Sequence, residues 1–288
     1  MSTWLVCAHD SGGAELVSAW AKKSQESCLF MVSGPALAIF EQKLANFHNN
    51  AYGSLDRLLN EVDTVLLGTS GHSDFERQIL RRAKERGIKT ISFLDHWVNY
   101  EMRFNLNGKL ILPDEIWVSD EIAFNFASKH FRDTPIKLVT NDYFNEITER
   151  AQSYTQLQRD PNRIRILYCS QPTILDYGYD EYCALTNYLN YLSTLDNKTY
   201  EIRIRLHPAE TPNKFQKIID EFQSVDRQIY AAKPADIVED CLWADWVVGC
   251  ETMAMVVALR LSRTVFSNIP KGGKPISLPF PEIISLFN

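Results

Sequence analysis

The chain has 288 residues, 45% of them hydrophobic and 23% charged, with a net charge of −6 and a sequence pI near 5.6. This length admits two domains of roughly 130 to 160 residues each, and the acidic balance argues against a general nucleic-acid binder, which needs a basic face. No apolar stretch reaches the roughly 18 residues that span a bilayer, and Met1-Ser-Thr-Trp4 enters the first strand without a basic leader; a cytoplasmic protein is expected, with peripheral membrane association left open by the scattered aromatic residues.

The first half alternates two patterns. Strands are predicted over 3–8, 28–33, 63–68, 89–94, 114–119 and 136–140, with helices over about 14–25, 36–46, 73–87 and 120–131. Near-continuous apolar strands separated by amphipathic helices are what a parallel sheet covered on both faces requires. The polar, proline-containing run Ala151-Gln-Ser-Tyr-Thr-Gln-Leu-Gln-Arg-Asp-Pro-Asn162 puts a domain boundary near 156–162, dividing the chain into 1–158 and 159–288. The pattern then restarts with strands over 163–170, 201–206, 228–232, 246–249 and 264–268 and helices over 178–195, 212–223, 235–243 and 252–260. The expected fold class is α/β, with two Rossmann-like doubly wound domains facing a central cleft. The six cysteines form no C-x-x-C pair and sit mostly in apolar runs, as small buried hydrophobes of a reducing compartment do.

Polar clusters follow several strands, where open α/β sheets bind ligands. In His9-Asp10-Ser11-Gly12-Gly13, paired glycines let backbone N–H groups approach a ligand, the next helix offers its N-terminus to an anion, and His9 or Asp10 can act as a general base. The plainer reading is a turn in which Asp10 or Ser11 caps the helix. Gly68-Thr69-Ser70-Gly71-His72-Ser73-Asp74 repeats the strand, glycine turn and helix order, and Asp95-His96 follows Phe93-Leu94. Strand alternation puts Arg203, Arg205 and His207 on one side, with Pro208 holding His207 extended, a row of donors suited to phosphate or else a solvated edge strand. In Gly249-Cys250-Glu251-Thr252, Glu251 suits ribose hydroxyls and Thr252 with the helix amides suits a phosphate, although glutamate in a first turn is also a routine dipole partner. G-x-G-x-x-G and a Walker lysine are absent. With no D-x-D signature, no metal is expected, and Asp236, Glu239 and Asp240 read as a solvated helix face.

Together these residues resemble the GT-B group of nucleotide-sugar enzymes. Arg205-Leu-His-Pro208 is similar to the His-Pro motif of bacterial sialyltransferases, capsule transferases of the 3-deoxy-manno-octulosonic acid type and teichoic-acid polymerases, where that histidine contacts the phosphate of a cytidine nucleotide. Gly249-Cys-Glu-Thr-Met-Ala-Met-Val-Val-Ala-Leu259 resembles the donor-binding turn and helix of GT-B proteins, and the turn at residue 10 is similar in position to their acceptor-side loop. The sialyltransferases carry an acidic pair before one glycine, a departure that leaves the choice between His9 and Asp10 open.

The resemblance implies a glycosyltransferase that uses a nucleotide-activated (CMP, CDP or UDP) sugar in surface polysaccharide or glycoconjugate biosynthesis. The reaction would be a metal-independent inverting displacement with no cofactor beyond the donor substrate. Asp10 or His9 would be the base, Ser11, Gly12, Gly13, His72, Asp95 and His96 would hold a saccharide or glycoconjugate acceptor, and His207, Arg205, Glu251 and Thr252 would grip the nucleotide. The alternatives are a nucleotide-sugar hydrolase, closer to this chain in size, a CDP-polyol phosphotransferase, and a non-catalytic nucleotide-sugar-binding protein.

Overall fold

The structure, a computed structural model, describes residues 2–71, 73–154, 160–172, 178–195, 198–207, 210–232 and 236–287. The chain divides into two units, Met1–Glu146 and Ile147–Asn288.

The first unit runs β1 (Thr3–Ala8), α1 (Ser11–Lys23), β2 (Ser27–Val32), α2 (Ala36–Lys43), α3 (Leu55–Leu58), β3 (Thr64–Leu67), α4 (Phe75–Glu85), β4 (Lys89–Phe93), β5 (Asn105–Leu106), β6 (Lys109–Leu110), β7 (Glu115–Val118), α5 (Glu121–His130) and β8 (Ile136–Leu138). Six strands form a parallel sheet in the order β2-β1-β3-β4-β7-β8. Leu5, Val6, Cys7 and Ala8 of β1 are fully buried, as a strand covered on both faces must be. One layer of the core packs Val6, Val17, Phe40, Leu66, Ile91, Phe93 and Trp117 together, and Trp4 lies against Trp20 with ring centroids 4.7 Å apart.

Chain order reverses between β1 and β3, so the turns after those two strands flank the switch point of the sheet, where ligands of open α/β folds bind. Here α1 starts at Ser11, three residues before the expected start at 14, so Gly12 and Gly13 belong to its first turn. Packing explains both glycines. A Cβ on Gly13 would lie 2.7 Å from Thr69 N and 3.0 Å from Gly68 Cα, and one on Gly12 would lie 2.1 Å from Asp95 Oδ2. Only a helix start without side chains comes this close to the neighbouring strand ends.

α6 (Asp142–Ser153) begins in the first unit and ends in the second. It was not expected from the sequence, because its apolar face is small. It buries Phe144 and Ile147, while Asn141 accepts a hydrogen bond from Phe144 N at 2.9 Å as its cap. The hairpin of β5 and β6 was likewise not expected; two-residue strands carry no periodicity.

The second unit runs β9 (Arg163–Cys169), α7 (Glu181–Ser193), β10 (Thr199–Arg205), α8 (Gln216–Phe222), β11 (Arg227–Ala231), α9 (Ile237–Trp243), β12 (Trp246–Gly249), α10 (Met253–Arg260), β13 (Thr264–Ser267) and β14 (Ile284–Ser285). Its six parallel strands lie in the order β11-β10-β9-β12-β13-β14, with the switch point between β9 and β12. Tyr200, Ile202 and Ile204 of β10 are buried in a core with Ile166, Leu185, Tyr188, Phe215 and Val248. The intervening Arg203 and Arg205 face the other way, but β10 is an interior strand and its second face is covered by α9. The solvated edge strand is therefore replaced by a buried pairing. Asp240 of α9, 1% exposed, takes Arg205 Nη1 at 2.6 Å and lies 3.5 Å from Arg203 Nη1, while the Arg203 guanidinium stacks 3.7 Å from the Trp243 ring centre. Asp236 caps α9 by accepting from Val238 N and pairs with Arg150. Asp240 and Asp236 thus depart from the solvated face that their spacing suggested, while Glu239 is exposed as expected.

Gly13→Ala is expected to destabilise the protein by about 1–3 kcal/mol, the usual cost of overpacking. Gly53→Ala, with nothing within 4 Å of the added carbon, should stay within about 0.5 kcal/mol; urea denaturation of both variants checks the contrast.

Candidate functional site

Two groups of polar side chains gather at strand carboxyl ends, one in each unit. In the first, the turn after β1 is held from three sides. His9 N–H donates to Glu76 Oε1 at 2.7 Å, Ala36 N–H donates to His9 O at 3.0 Å, and Ala14 N–H donates to Asp10 O at 3.0 Å to open α1. Asp10 occupies the N-cap position without capping the helix. Its carboxylate instead reaches across the switch point, where Oδ2 accepts from Gly71 N at 3.1 Å, and Oδ1 accepts from His9 Nδ1 at 2.8 Å. Burial works to raise the Asp10 carboxyl, but hydrogen bonds from Ser70, His9 and the Gly71 amide, with the charge of the imidazole, outweigh it and leave Asp10 below the ordinary aspartate range. Asp10 is therefore ionised at neutral pH. An ionised carboxylate only accepts hydrogen bonds, so Nδ1 carries the His9 hydrogen and Nε2 is the acceptor of the neutral ring.

Gly34, at φ +58, lies over that ring, and a Cβ there would sit 2.6 Å from His9 Nε2. Phe75 stands on another side, 6.3 Å between ring centres. The left-handed glycine and the aromatic ring leave His9 a narrow slot, and Asp10 sets its tautomer.

Asp95 has a different setting from the one expected of an acceptor-holding group. Oδ1 accepts from Thr69 Oγ1 at 2.7 Å and from Arg103 Nη1, whose side chain is 9% exposed against 12% for Asp95. Arg103 Nη1 also lies 3.2 Å from Thr69 Oγ1. The other oxygen of Asp95 rests against Gly12. His96 Nδ1 accepts from Trp97 N at 3.0 Å, which puts the ring hydrogen on Nε2. Ser11 is exposed at the start of α1, and His72 lies outside the described residues.

In the second unit the groups after β9, β10 and β12 are cross-linked. Gln171 Oε1 accepts from Glu251 N at 3.1 Å, bridging the switch point. Glu251 Oε2 accepts from Ser277 N at 3.1 Å and Ser277 Oγ at 2.8 Å, and Thr252 Oγ1 caps α10 by accepting from Ala254 N. Gly249 lets this turn close, since its Cβ would meet Thr252 Cγ2 at 3.0 Å and Cys169 O at 3.2 Å. His207 stands exposed at the end of β10, and Pro208 lies outside the described residues. Its main chain forms a reciprocal ring with Glu210: His207 N donates to Glu210 Oε2, and Glu210 N to His207 O, both at 2.8 Å. Glu210, 2% exposed, also accepts from Ser170 Oγ at 2.8 Å and pairs with Lys214, which pairs in turn with Glu181. Burial, with a smaller push from Lys214 against the pull of Glu210, holds the His207 imidazole below the ordinary histidine range. A neutral imidazole at this turn can donate one hydrogen bond and accept one, and brings no charge at pH 7.

Arg205 lies on the face of β10 turned to α9, where its Nη1 donates to Asp240 Oδ2. The residues that sequence reasoning missed, Glu76, Arg103, Gln171, Glu210 and Lys214, act from helices and loops whose approach no local pattern encodes; only the Glu210 and Lys214 spacing of four was visible in advance. A cavity of about 560 Å³, lined by Leu192, Lys198, Tyr200 and Arg227 among others, lies at the amino ends of β10 and β11, the opposite end of that sheet from His207. Among the described residues no three His, Cys, Asp or Glu side chains are placed to hold a metal ion, and no helix is long and apolar enough to cross a membrane.

No protein-family model matches the sequence, and no curated protein matches it. Solved structures do. The Methanocaldococcus jannaschii UDP-GlcNAc 2-epimerase in complex with UDP-GlcNAc and UDP superposes with a TM-score of 0.64 at 11% identity, over 99% of this chain and 89% of that one. The S. aureus MnaA–UDP co-structure gives 0.63 at 11% identity, over 93% and 79% of the two chains. The Neisseria meningitidis UDP-GlcNAc 2-epimerase bound to UDP-GlcNAc gives 0.59 at 13% identity, over 92% and 82%. At these identities the likeness is one of fold: two Rossmann-like α/β domains of the GT-B type, the class expected from the sequence.

Removing one partner of a buried ion pair strands the other charge. Arg103→Met is expected to cost about 3–5 kcal/mol, and Asp95→Asn in the same chain should return part of that loss; a double-mutant cycle by denaturant unfolding checks the coupling.

Proposed function

We propose that the protein is an enzyme that acts on a nucleotide-activated sugar at the bond between the anomeric carbon and the phosphate, and that it transfers the glycosyl group to an acceptor hydroxyl with inversion. The observation that carries this reading is the Asp10 carboxylate, held ionised across the switch point of the first sheet with His9 locked beside it. Asp10 would take the proton of the acceptor hydroxyl as its oxygen attacks the anomeric carbon, and His9 would stabilise and orient the carboxylate. The bond to the donor phosphate breaks, and its electron pair leaves with the nucleotide. His207 and the first-turn amides of α10 would receive the phosphate, and Glu251 the ribose hydroxyls. The reaction needs no resident cofactor; the nucleotide sugar is the substrate.

A second reading is favoured by the structural neighbours: two are named as UDP-GlcNAc 2-epimerases holding UDP-GlcNAc, one of them with UDP as well, and a third is the MnaA–UDP co-structure. In it, the same acid–base group inverts C2 of a UDP-sugar and no acceptor is consumed. Transfer to water, giving a hydrolase, uses the same base with water in place of the acceptor.

One experiment separates these. The protein is incubated with UDP-, CDP-, CMP- and ADP-sugars, with and without saccharide acceptors, and followed by proton and phosphorus NMR. Transfer gives free nucleotide that depends on acceptor, hydrolysis gives it without, and epimerisation gives a new sugar signal with the nucleotide still attached. Asp10→Asn is expected to lower turnover by about 10²–10⁴, the range for a positioned base, and His207→Ala to weaken nucleotide binding with a smaller effect on the chemical step. If no nucleotide sugar is either turned over or able to raise the melting temperature, the reading is wrong.

A further inference from the structure

Glu76 is the second residue of α4, and a glutamate there is ordinarily an exposed partner of the helix dipole. This one is 4% exposed. One carboxyl oxygen accepts the His9 amide hydrogen at 2.7 Å, and the other is buried with no hydrogen-bond partner. Burial of an acid with an unsatisfied oxygen is unfavourable, and a fold that retains one has a use for it more often than not.

We propose that Glu76 is a positioning residue for the His9–Asp10 pair, fixing the His9 main chain with one oxygen and imposing its own charge state on the pair through the second. This rests on the reading of that pair as the acid–base group. The groups that face Glu76 are few and identifiable. From β1 and the turn after it come the Cys7 thiol, which burial and then Glu76 hold well above its usual range, the His9 amide and ring, and the Asp10 carboxylate. From α4 comes its own amide. The neighbouring Arg77 is turned elsewhere, to Met102 O, Ser73 O and Asp74. Burial pushes the Glu76 carboxyl up to about 7, with Asp10 acting in the same direction and the two amides and the imidazole opposing it. Glu76 therefore changes charge near neutrality while Asp10 stays ionised. A negative charge arriving beside Asp10 raises the proton affinity of that carboxylate, so the pair becomes a stronger base as pH rises through about 7.

The sign for stability is fixed by the same shift. The folded-state value lies above the unfolded one, so the contribution of Glu76 is fully present below about 4.5 and is lost as pH rises through about 7.

The test is Glu76→Gln, which keeps an acceptor for the His9 amide and removes the ionisation. In the free protein, the His9 ring signals followed by NMR should respond to an ionisation near pH 7 in the wild type that is missing in the variant. The melting temperature of Glu76→Gln relative to wild type should be higher at pH 8 than at pH 5. A merely structural glutamate shows the melting difference, which follows from its burial alone, but predicts His9 ring signals that follow pH identically in wild type and Glu76→Gln, and that result overturns the proposal. Should Glu76→Gln not fold, the glutamate carboxyl signals of the wild type and Asp10→Asn decide. One carboxyl must titrate near pH 7 and move to lower pH when the Asp10 charge is removed; no such carboxyl, or no movement, is a refutation. None of these readouts needs a nucleotide sugar, so a failed turnover screen and a failed role for Glu76 are told apart.

Discussion

The approach of the α1 N-terminus to the ends of β3 and β4 is the constraint on which the first unit's polar cluster depends. A helix can come within van der Waals distance of a neighbouring backbone only where it has no side chains, and Gly12 and Gly13 meet that condition at the one place where Thr69 and Asp95 stand opposite. Asp10, at the N-cap position of that helix, does not cap it and turns its carboxylate to Gly71 and Ser70 instead. The hydrogen bonds gained across the switch point keep that carboxylate ionised despite its burial. The chemistry assigned to Asp10 is therefore a consequence of packing at Gly13.

The second unit solves the equivalent problem with side chains. Gln171 reaches over to the amide of Glu251, Ser277 fixes the Glu251 carboxylate, and Glu210 ties Ser170, the His207 main chain and Lys214 into one buried node. Each of these charges is paired or hydrogen-bonded, which offsets part of the cost of burying it, and the His207 ring is left as the exposed part of its turn. Beneath it, Asp240 pairs with both Arg203 and Arg205 and offsets part of the positive charge that this face of β10 presents to the covering helix.

Much of the fold was legible because it depends on periodicity. Continuous apolar strands such as Leu5–Ala8 and alternating ones such as Tyr200–Ile204 announce interior parallel strands, and the turns rich in glycine and polar residues announce their carboxyl ends. Those same turns supplied Asp10, His9, His207 and Glu251. The reading erred where a side chain's partner is remote in sequence. The Asp240 partner of Arg205 went unforeseen because alternation fixes the side of a strand a residue takes, not what covers that side. Asp240 looked solvated because the arginines that bury it are 35 and 37 residues away. α6 escaped notice because Phe144 and Ile147 are too few to mark a helix against so polar a surround.

The sequence by itself determined two doubly wound sheets and the loops that end their strands, since hydrophobic period, turn residues and the strand–helix alternation are all local. The tertiary structure alone decided the electrostatic state of each candidate group: Asp10 ionised, Glu76 near neutrality, His207 neutral, Asp95 and Arg205 each consumed in an ion pair. The physical reason is that a charge is set by its desolvation and by partners brought in from other strands and helices, and neither is written in the residues next to it.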